Sequence, residues 1–439
     1  MAHSKSPKFW RSCFYSTLDQ FASDPDRSLI QGEAFTRNRK ISLPLTARLI
    51  ASLSSNSVRQ QTLTFCKNNH TDFTESAFCQ ARQKFDHLIL KNASLDFAHH
   101  VSCESSLYKG KYRLIGIDGS CFPILPNLEE PQNLVERYPK SSWALHFNAA
   151  FDLENHYYLD YQVQSAVDKN EHGAALEFVR QYDHAGVPIW IGDRLYFSYE
   201  LASQIENRGQ KFLFRMKERN CVSLLPADHP LYQEIDFTSS RKLIHTQKAS
   251  TRNRPDQYKY VPKGSVSLIT PEHTELVFPY RIIIAEISTQ NEEDGTPVKT
   301  MEYLLTNLSD DEFSTREIKE LYHLRWNIEV SFRDLKYVLN GKQVHSRKQN
   351  LIEQEINTAV IVYNLISVIS KCAKPRQPGQ KYRYQTNRKA LSSIVLQFLI
   401  GKAAQKEVIW TIQNVVVPIR KNRHFKRAKS STASTSTWK

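Results

Sequence analysis

A chain of 439 residues with 40% hydrophobic and 24% charged residues is long enough for two or three domains with a real core, and the balance excludes disorder throughout. Lysine and arginine outnumber aspartate and glutamate 59 to 45, a net +14 that favours a polyanionic partner, nucleic acid first and an acidic membrane surface second. Cys13, Cys66, Cys79, Cys103, Cys121, Cys221 and Cys372 never form a Cys-x-x-Cys pair, which speaks against a disulfide framework or a zinc-finger spacing and for free thiols in a reducing compartment.

Residues 1–105 read as helical and basic, a candidate DNA-binding domain. Within them "TESAFCQARQKF" opens on the helix-start residues Thr74 and Glu75 and puts Gln80, Arg82 and Lys84 on a short helix, either one that enters a DNA groove or a surface helix with scattered charge. From 111 the pattern changes to strands: "KYRLIGIDGSCFPIL", "LHFNAAFDL" and "YYLDYQVQSA", then a helix at "NEHGAALEFVRQYDH" and a strand at "VPIWIGDR". A helix at 198–208 and the strand "KFLFRMK" follow, so the expected class is α/β with a mixed sheet.

Residues 218–305 differ in character. The runs "SVSLIT", "YRIIIAEIS" and "TMEYLLTNL", punctuated by Pro255, Pro262, Pro271 and Pro279, predict a β-rich insertion. One helix is expected over "STREIKELYHLRWNIEVSFRDLKYVL" from 314 and another over 351–372. The apolar run "AVIVYNLISVIS" within the latter is too short and too polar to span a bilayer, and no signal core opens the chain, so a cytoplasmic protein is expected. After a basic loop, two apolar segments lie near 390–417, and the basic, serine-rich stretch 419–439 has a composition that cannot bury itself.

At 100° per residue, Leu321, Leu324, Ile328, Phe332, Leu335 and Leu339 form one helical stripe, and Tyr322, Arg325, Glu329 and Lys336 form a second beside it. Alone, Arg325 and Glu329 would be an ordinary i,i+4 ion pair. Asp118 and Asp193, however, end the apolar runs "RLIGID" and "IWIGD". Either is a plausible turn residue, but strand-end aspartates converge if their parallel strands are neighbours. Three carboxylates brought together repel, and a divalent cation such as Mg²⁺ is the usual relief. Two such ions about 4 Å apart activate an attacking oxygen and stabilise a leaving one at a phosphodiester.

The spacing Tyr322, Arg325, Glu329, Lys336 resembles the Tyr-x2-Arg-x3-Glu-x6-Lys signature of the DDE transposases of bacterial insertion sequences, in the insertion sequence four family. "IGIDGS" and "IGDRLY" are similar to that family's two aspartate motifs, although Leu195 stands where the second usually has glycine, and "LLTNL", "FSTREIKELY" and "YNLI" add to the likeness over about 110–370. The resemblance implies an RNase H-like catalytic core (106–217 and 306–373) interrupted by the β-rich insertion (218–305), preceded by the helical domain and followed by helical, dimerising segments at 374–418. It implies that Asp118, Asp193 and Glu329 are catalytic and hold two Mg²⁺ ions, with Mn²⁺ as a substitute. It implies that Tyr322, Arg325, Lys336, Trp326 and Arg194 contact DNA.

Base stacking would fall to Trp326, since Tyr258, Tyr260 and Tyr280 are better read as packing in a β layer. The implied partners are terminal inverted repeats and target DNA bound by a homodimer on paired ends in a bacterial, nucleoid-associated setting, with no membrane. The alternatives are a catalytically dead DNA-binding descendant and an RNase H-like nuclease.

Overall fold

The computed structural model describes residues 5–23, 35, 40–53, 57–136, 141–226, 233–246, 248–290, 297–337, 346–379 and 381–420. The chain opens with helices α1 (Pro7–Ser23), α2 (Leu43–Ala51), α3 (Val58–Asn68), α4 (Glu75–Gln83) and α5 (His87–Cys103). Ser42, Ser57, Thr74 and Asp86 start the last four, each side chain accepting a backbone N–H two or three residues on that no helical carbonyl can reach.

Next come β1 (Tyr112–Pro123), β2 (Leu134–Val135), β3 (Ser142–Asp152), β4 (Tyr157–Ser165), α6 (Glu171–Gln181), β5 (Val187–Gly192), α7 (Tyr199–Asn207) and β6 (Lys211–Arg215). The β-rich stretch contains α8 (Glu218–Val222), β7 (Ile235–Ile244), α9 (Ala249–Arg252), β8 (Tyr258–Tyr260), β9 (Glu275–Gln290) and β10 (Pro297–Thr306). The remainder is α10 (Thr315–Leu324), α11 (Trp326–Tyr337), α12 (Gln349–Ser370), β11 (Arg383–Thr386), α13 (Arg388–Leu399), α14 (Gln405–Asn414) and β12 (Val416–Ile419).

One 10-stranded sheet in the order β2-β3-β1-β5-β6-β10-β9-β7-β8, with β4 also paired to β3, makes this a mixed α/β fold with helices on both faces. The strands β1, β5 and β6 are mutually parallel, and β3 runs antiparallel to β1 and β4. The stretch 218–305 is not a detached layer: β10 pairs antiparallel with β6 and carries the sheet onward into β9 and β7.

Alternation along the strands gives each face its own core. Ile115, Ile117, Trp190, Phe212 and Phe214 pack with the N-terminal helices, α6, α7 and α13. Leu114, Ile189, Ile191 and Leu213 pack with Ile318 and Leu321 of α10, Ile328, Phe332 and Leu335 of α11, and Ile352 and Ile356 of α12. The apolar stripe read from the sequence is therefore buried at Leu321, Ile328, Phe332 and Leu335 and partly buried at Leu324, and Leu339 lies outside the described residues, as does nearly all of 419–439.

Three local expectations need correction. "SVSLIT" forms no strand; Ser265 and Ile269 donate their N–H groups locally, to Pro262 O and Val266 O, so a chain of turns replaces the ladder. The single helix from 314 is two helices, because at Arg325 the hydrogen bonds tighten to three-residue steps, Arg325 N–H to Tyr322 O and Ile328 N–H to Arg325 O, both 3.1 Å. Asp118 is not at a strand end: β3 goes on pairing with β1 as far as Pro123. Among the described residues no helix is long and apolar enough to cross a membrane.

Candidate active site

The parallel register between β1 and β5 ends at Ile117 opposite Gly192. The next residue in each case is an aspartate, so Asp118, still held in β1 by β3, and Asp193, just past the end of β5, lie side by side where the β1–β5 pairing stops. Strand alternation fixes their direction. Leu114 and Ile191 face the core under α11, and Asp118 and Asp193 follow them at intervals of four and two, on that same face.

The helix α11 crosses β1 closely because residue 116 has no side chain. A Cβ there would lie 2.8 Å from Leu153 Cδ2 and 3.6 Å from Ile328 Cβ. Ile328 is thereby seated on the strand, and Glu329, the next residue along, comes to the aspartates. A single guanidinium shows the convergence: Arg325 Nη1 is 2.8 Å from Glu329 Oε1 and 3.9 Å from Asp118 Oδ2. The i,i+4 pair expected from the sequence exists, but it reaches a third partner and is mostly shielded from water.

Burial pushes the Asp118 carboxyl up to about 7; the Gly119 N–H at 2.8 Å and Arg325 oppose the rise, and Asp193 and Glu329 add to it. Asp193 Oδ1 accepts the Leu195 N–H at 2.8 Å, closing the turn after β5. Leu195 is not among the residues with positive φ, so the missing glycine of the motif costs no backbone strain.

The other predicted contact residues surround this cluster. Lys336 Nζ donates to Ser120 Oγ at 2.6 Å and lies 5.0 Å from the Phe122 ring centre, which holds the end of α11 against β1 beyond Asp118. Tyr322, on α10, is buried beside Arg325, and its hydroxyl has no hydrogen-bond partner; burial pushes it up to about 12. Arg194 is exposed in the turn after Asp193, and Trp326 is 56% exposed at the start of α11. Tyr280 is buried with its hydroxyl on Leu224 O at 2.9 Å, as a packing tyrosine should be, and Tyr260 is exposed.

Sequence reading missed a polar chain beside the site. His146 of β3 lies 3.5 Å from Cys121 Sγ through Nδ1 and 3.1 Å from Glu171 Oε1 through Nε2, and Lys169 Nζ reaches the same Glu171 oxygen at 2.9 Å. Gly119 makes room for it, since a Cβ there would fall 2.5 Å from His146 Nε2. Burial would lower the imidazole, but Cys121 and Glu171 outweigh it and hold His146 up to about 9. The Cys121 thiol is lowered in turn, chiefly by His146. No local motif links these residues, so the cluster had no sequence signal.

The helix suggested for groove reading behaves otherwise. Arg82 of α4 is 4% exposed and bonds to Gln354 Oε1, Leu351 O and Glu355 Oε1 of α12 at 3.0, 2.8 and 2.7 Å, so its charge is spent inside the protein, while Gln80 and Lys84 remain exposed.

Residues 109–365 match the family model described as "Transposase DDE domain". A segment of 67 residues is 34% identical to "Transposase InsG for insertion sequence element IS4" of Escherichia coli (strain K12), a match that spans 15% of this chain and 15% of that relative. Among solved structures, the cryo-EM structure of the piggyBac transposase synaptic complex with hairpin DNA aligns over 93% of this chain and 85% of that one, at 11% identity and a TM-score of 0.43.

Proposed function

The chain belongs to the DDE transposase family, and on that premise we propose that it is a DNA transposase that moves its insertion sequence by cut and paste, through phosphodiester hydrolysis and strand transfer at terminal inverted repeats. The observation that carries this reading is the emergence of Asp118 and Asp193 from adjacent parallel strands beneath the helix that bears Glu329, with Arg325 spanning Asp118 and Glu329. An RNase H-like core is the architecture this implies, and the order β4-β3-β1-β5-β6, with β3 antiparallel to β1, supports it.

Residues 1–105 would recognise the inverted repeats, 106–217 and 306–373 would form the core, 218–305 the insertion, and 374–418 the contact between two subunits on paired ends.

The donor set fits a hard divalent cation. Asp118, Asp193 and Glu329 offer only carboxylate oxygens, the donor type a hard divalent cation prefers. These three residues would hold two Mg²⁺ ions, or Mn²⁺ in their place, and such ions supply Lewis-acid polarisation of the phosphodiester. The remaining work belongs to the protein's own side chains. Arg325 holds the carboxylates together in the free chain and keeps further N–H donors for a phosphate oxygen. Lys336, Arg194 and the Tyr322 hydroxyl offer positive charge and a hydrogen bond to DNA around the same point. Trp326 presents an exposed ring for a displaced base.

The test is cleavage of duplexes carrying the ends of the element that encodes the chain, in Mg²⁺ or EDTA, with wild type and Glu329→Gln. Metal-dependent nicking at the repeat boundary followed by joined products, lost in Glu329→Gln while binding persists, is expected. Binding without cleavage by wild type would instead point to a DNA-binding descendant, and cleavage that ignores the ends to a nuclease.

A further inference from the structure

Away from the carboxylate cluster, His99 of α5 meets Asp183 and His184 in the turn between α6 and β5. One ligand atom from each lies within 4.8 Å of the others, and the two imidazole rings are 5.5 Å apart, centre to centre. The residues border a cavity of about 570 Å³, walled by Phe21, Leu95, Asp160, Phe178 and Trp190. The side chain of His184 is only 9% exposed; its Nδ1 is buried, and its Nε2 is the ring nitrogen on the side of Asp183. Its nearest ionic neighbour is Asp183, whose Oδ1 is 3.9 Å from His184 Nε2.

We propose that His99, Asp183 and His184 form a second metal site, selective for a borderline divalent ion of the Zn²⁺ type. Two imidazoles and one carboxylate suit that ion, whereas Mg²⁺ prefers oxygen alone. Bonds of about 2.1 Å in a tetrahedron put ligand atoms about 3.4 Å apart, so closure requires a movement on the order of 1 Å. His99 and Asp183 are exposed and free to rotate by that much, while His184 is fixed by packing against Tyr182. Water would fill the fourth position. The bound ion cross-links α5, in the N-terminal helical region, to the turn that enters β5, the strand whose far end delivers Asp193. Its role is thus to fasten the helical region to the catalytic sheet, independently of the chemistry at Asp118, Asp193 and Glu329.

The experiment is calorimetric titration of Zn²⁺ into the untagged full-length chain in excess Mg²⁺, which occupies oxygen-only sites without competing for imidazole. Wild type and Glu329→Gln should each bind one Zn²⁺. His99→Ala and His184→Gln should lose at least tenfold in affinity, and Co²⁺ in place of Zn²⁺ should give the visible absorption of a four-coordinate ion in wild type only. Since His99 is exposed, metal-free His99→Ala should melt with wild type, which keeps that comparison free of folding effects. No Zn²⁺ bound by wild type in excess Mg²⁺, loss of binding in Glu329→Gln, or undiminished affinity in both histidine variants would each overturn the proposal. None of these results depends on DNA cleavage.

Discussion

Replacing Arg82 with alanine separates a structural arginine from a DNA-reading one. The guanidinium is 4% exposed and makes bonds of 3.0, 2.8 and 2.7 Å to Gln354 Oε1, Leu351 O and Glu355 Oε1. Glu355 is itself largely buried, so truncation breaks the ion pair from one side and leaves Gln354 Oε1 short of a donor in a place water hardly reaches. Breaking a buried ion pair from one side costs about 3–5 kcal/mol. Here Ser346 Oγ still donates to Glu355 Oε1 at 3.1 Å, so the lower end, about 3 kcal/mol, is expected. Lys84 is exposed, and Lys84→Ala should stay within about 0.5 kcal/mol of wild type. Urea denaturation of both variants measures the difference, and the salt dependence of DNA binding, taken alongside, measures phosphate contacts. An unchanged midpoint for Arg82→Ala together with a shallower salt slope would refute the structural assignment and restore this residue to the DNA interface.

Gly116→Ala tests how α11 is seated: the new Cβ would press on buried Leu153 at 2.8 Å, so a loss of about 1–3 kcal/mol is expected, with cleavage falling more than DNA binding because Glu329 rides on the displaced helix. Equal losses of binding and cleavage, or none, would argue against that close approach. His146 is held up to about 9, above its ordinary value of about 6.5, so its contribution to stability is complete below about pH 6.5 and is lost as the pH rises through about 9. The deficit of His146→Gln relative to wild type should therefore shrink between pH 6 and pH 9, by about 1–3 kcal/mol in denaturant titrations. A deficit that does not change with pH would mean that the imidazole is not charged in the fold.

Features that depend only on neighbours along the chain can be read without the fold. Side-chain period sets the faces of strands and helices, so β1, β3, β4, β5 and β6 and the buried stripe from Leu321 to Leu335 were legible, as was the spacing of Tyr322, Arg325, Glu329 and Lys336. Two aspartates at the ends of apolar runs could be marked as candidates, but their convergence could not be read, because it depends on β1 and β5 being parallel neighbours with Ile117 opposite Gly192. The local period shows which faces of a strand are buried, but the neighbour it pairs with is chosen by non-local hydrogen bonds that leave no local pattern. For the same reason it takes the folded chain to show that Asp118 lies inside a strand prolonged by β3, and that 218–305 continues the main sheet through β10. The fold likewise shows that Arg82 is consumed by α12, and that His146 meets Cys121 and Glu171. A side chain's type states what chemistry it can do; the partners that the fold brings within about 3 Å decide which of those chemistries remains available.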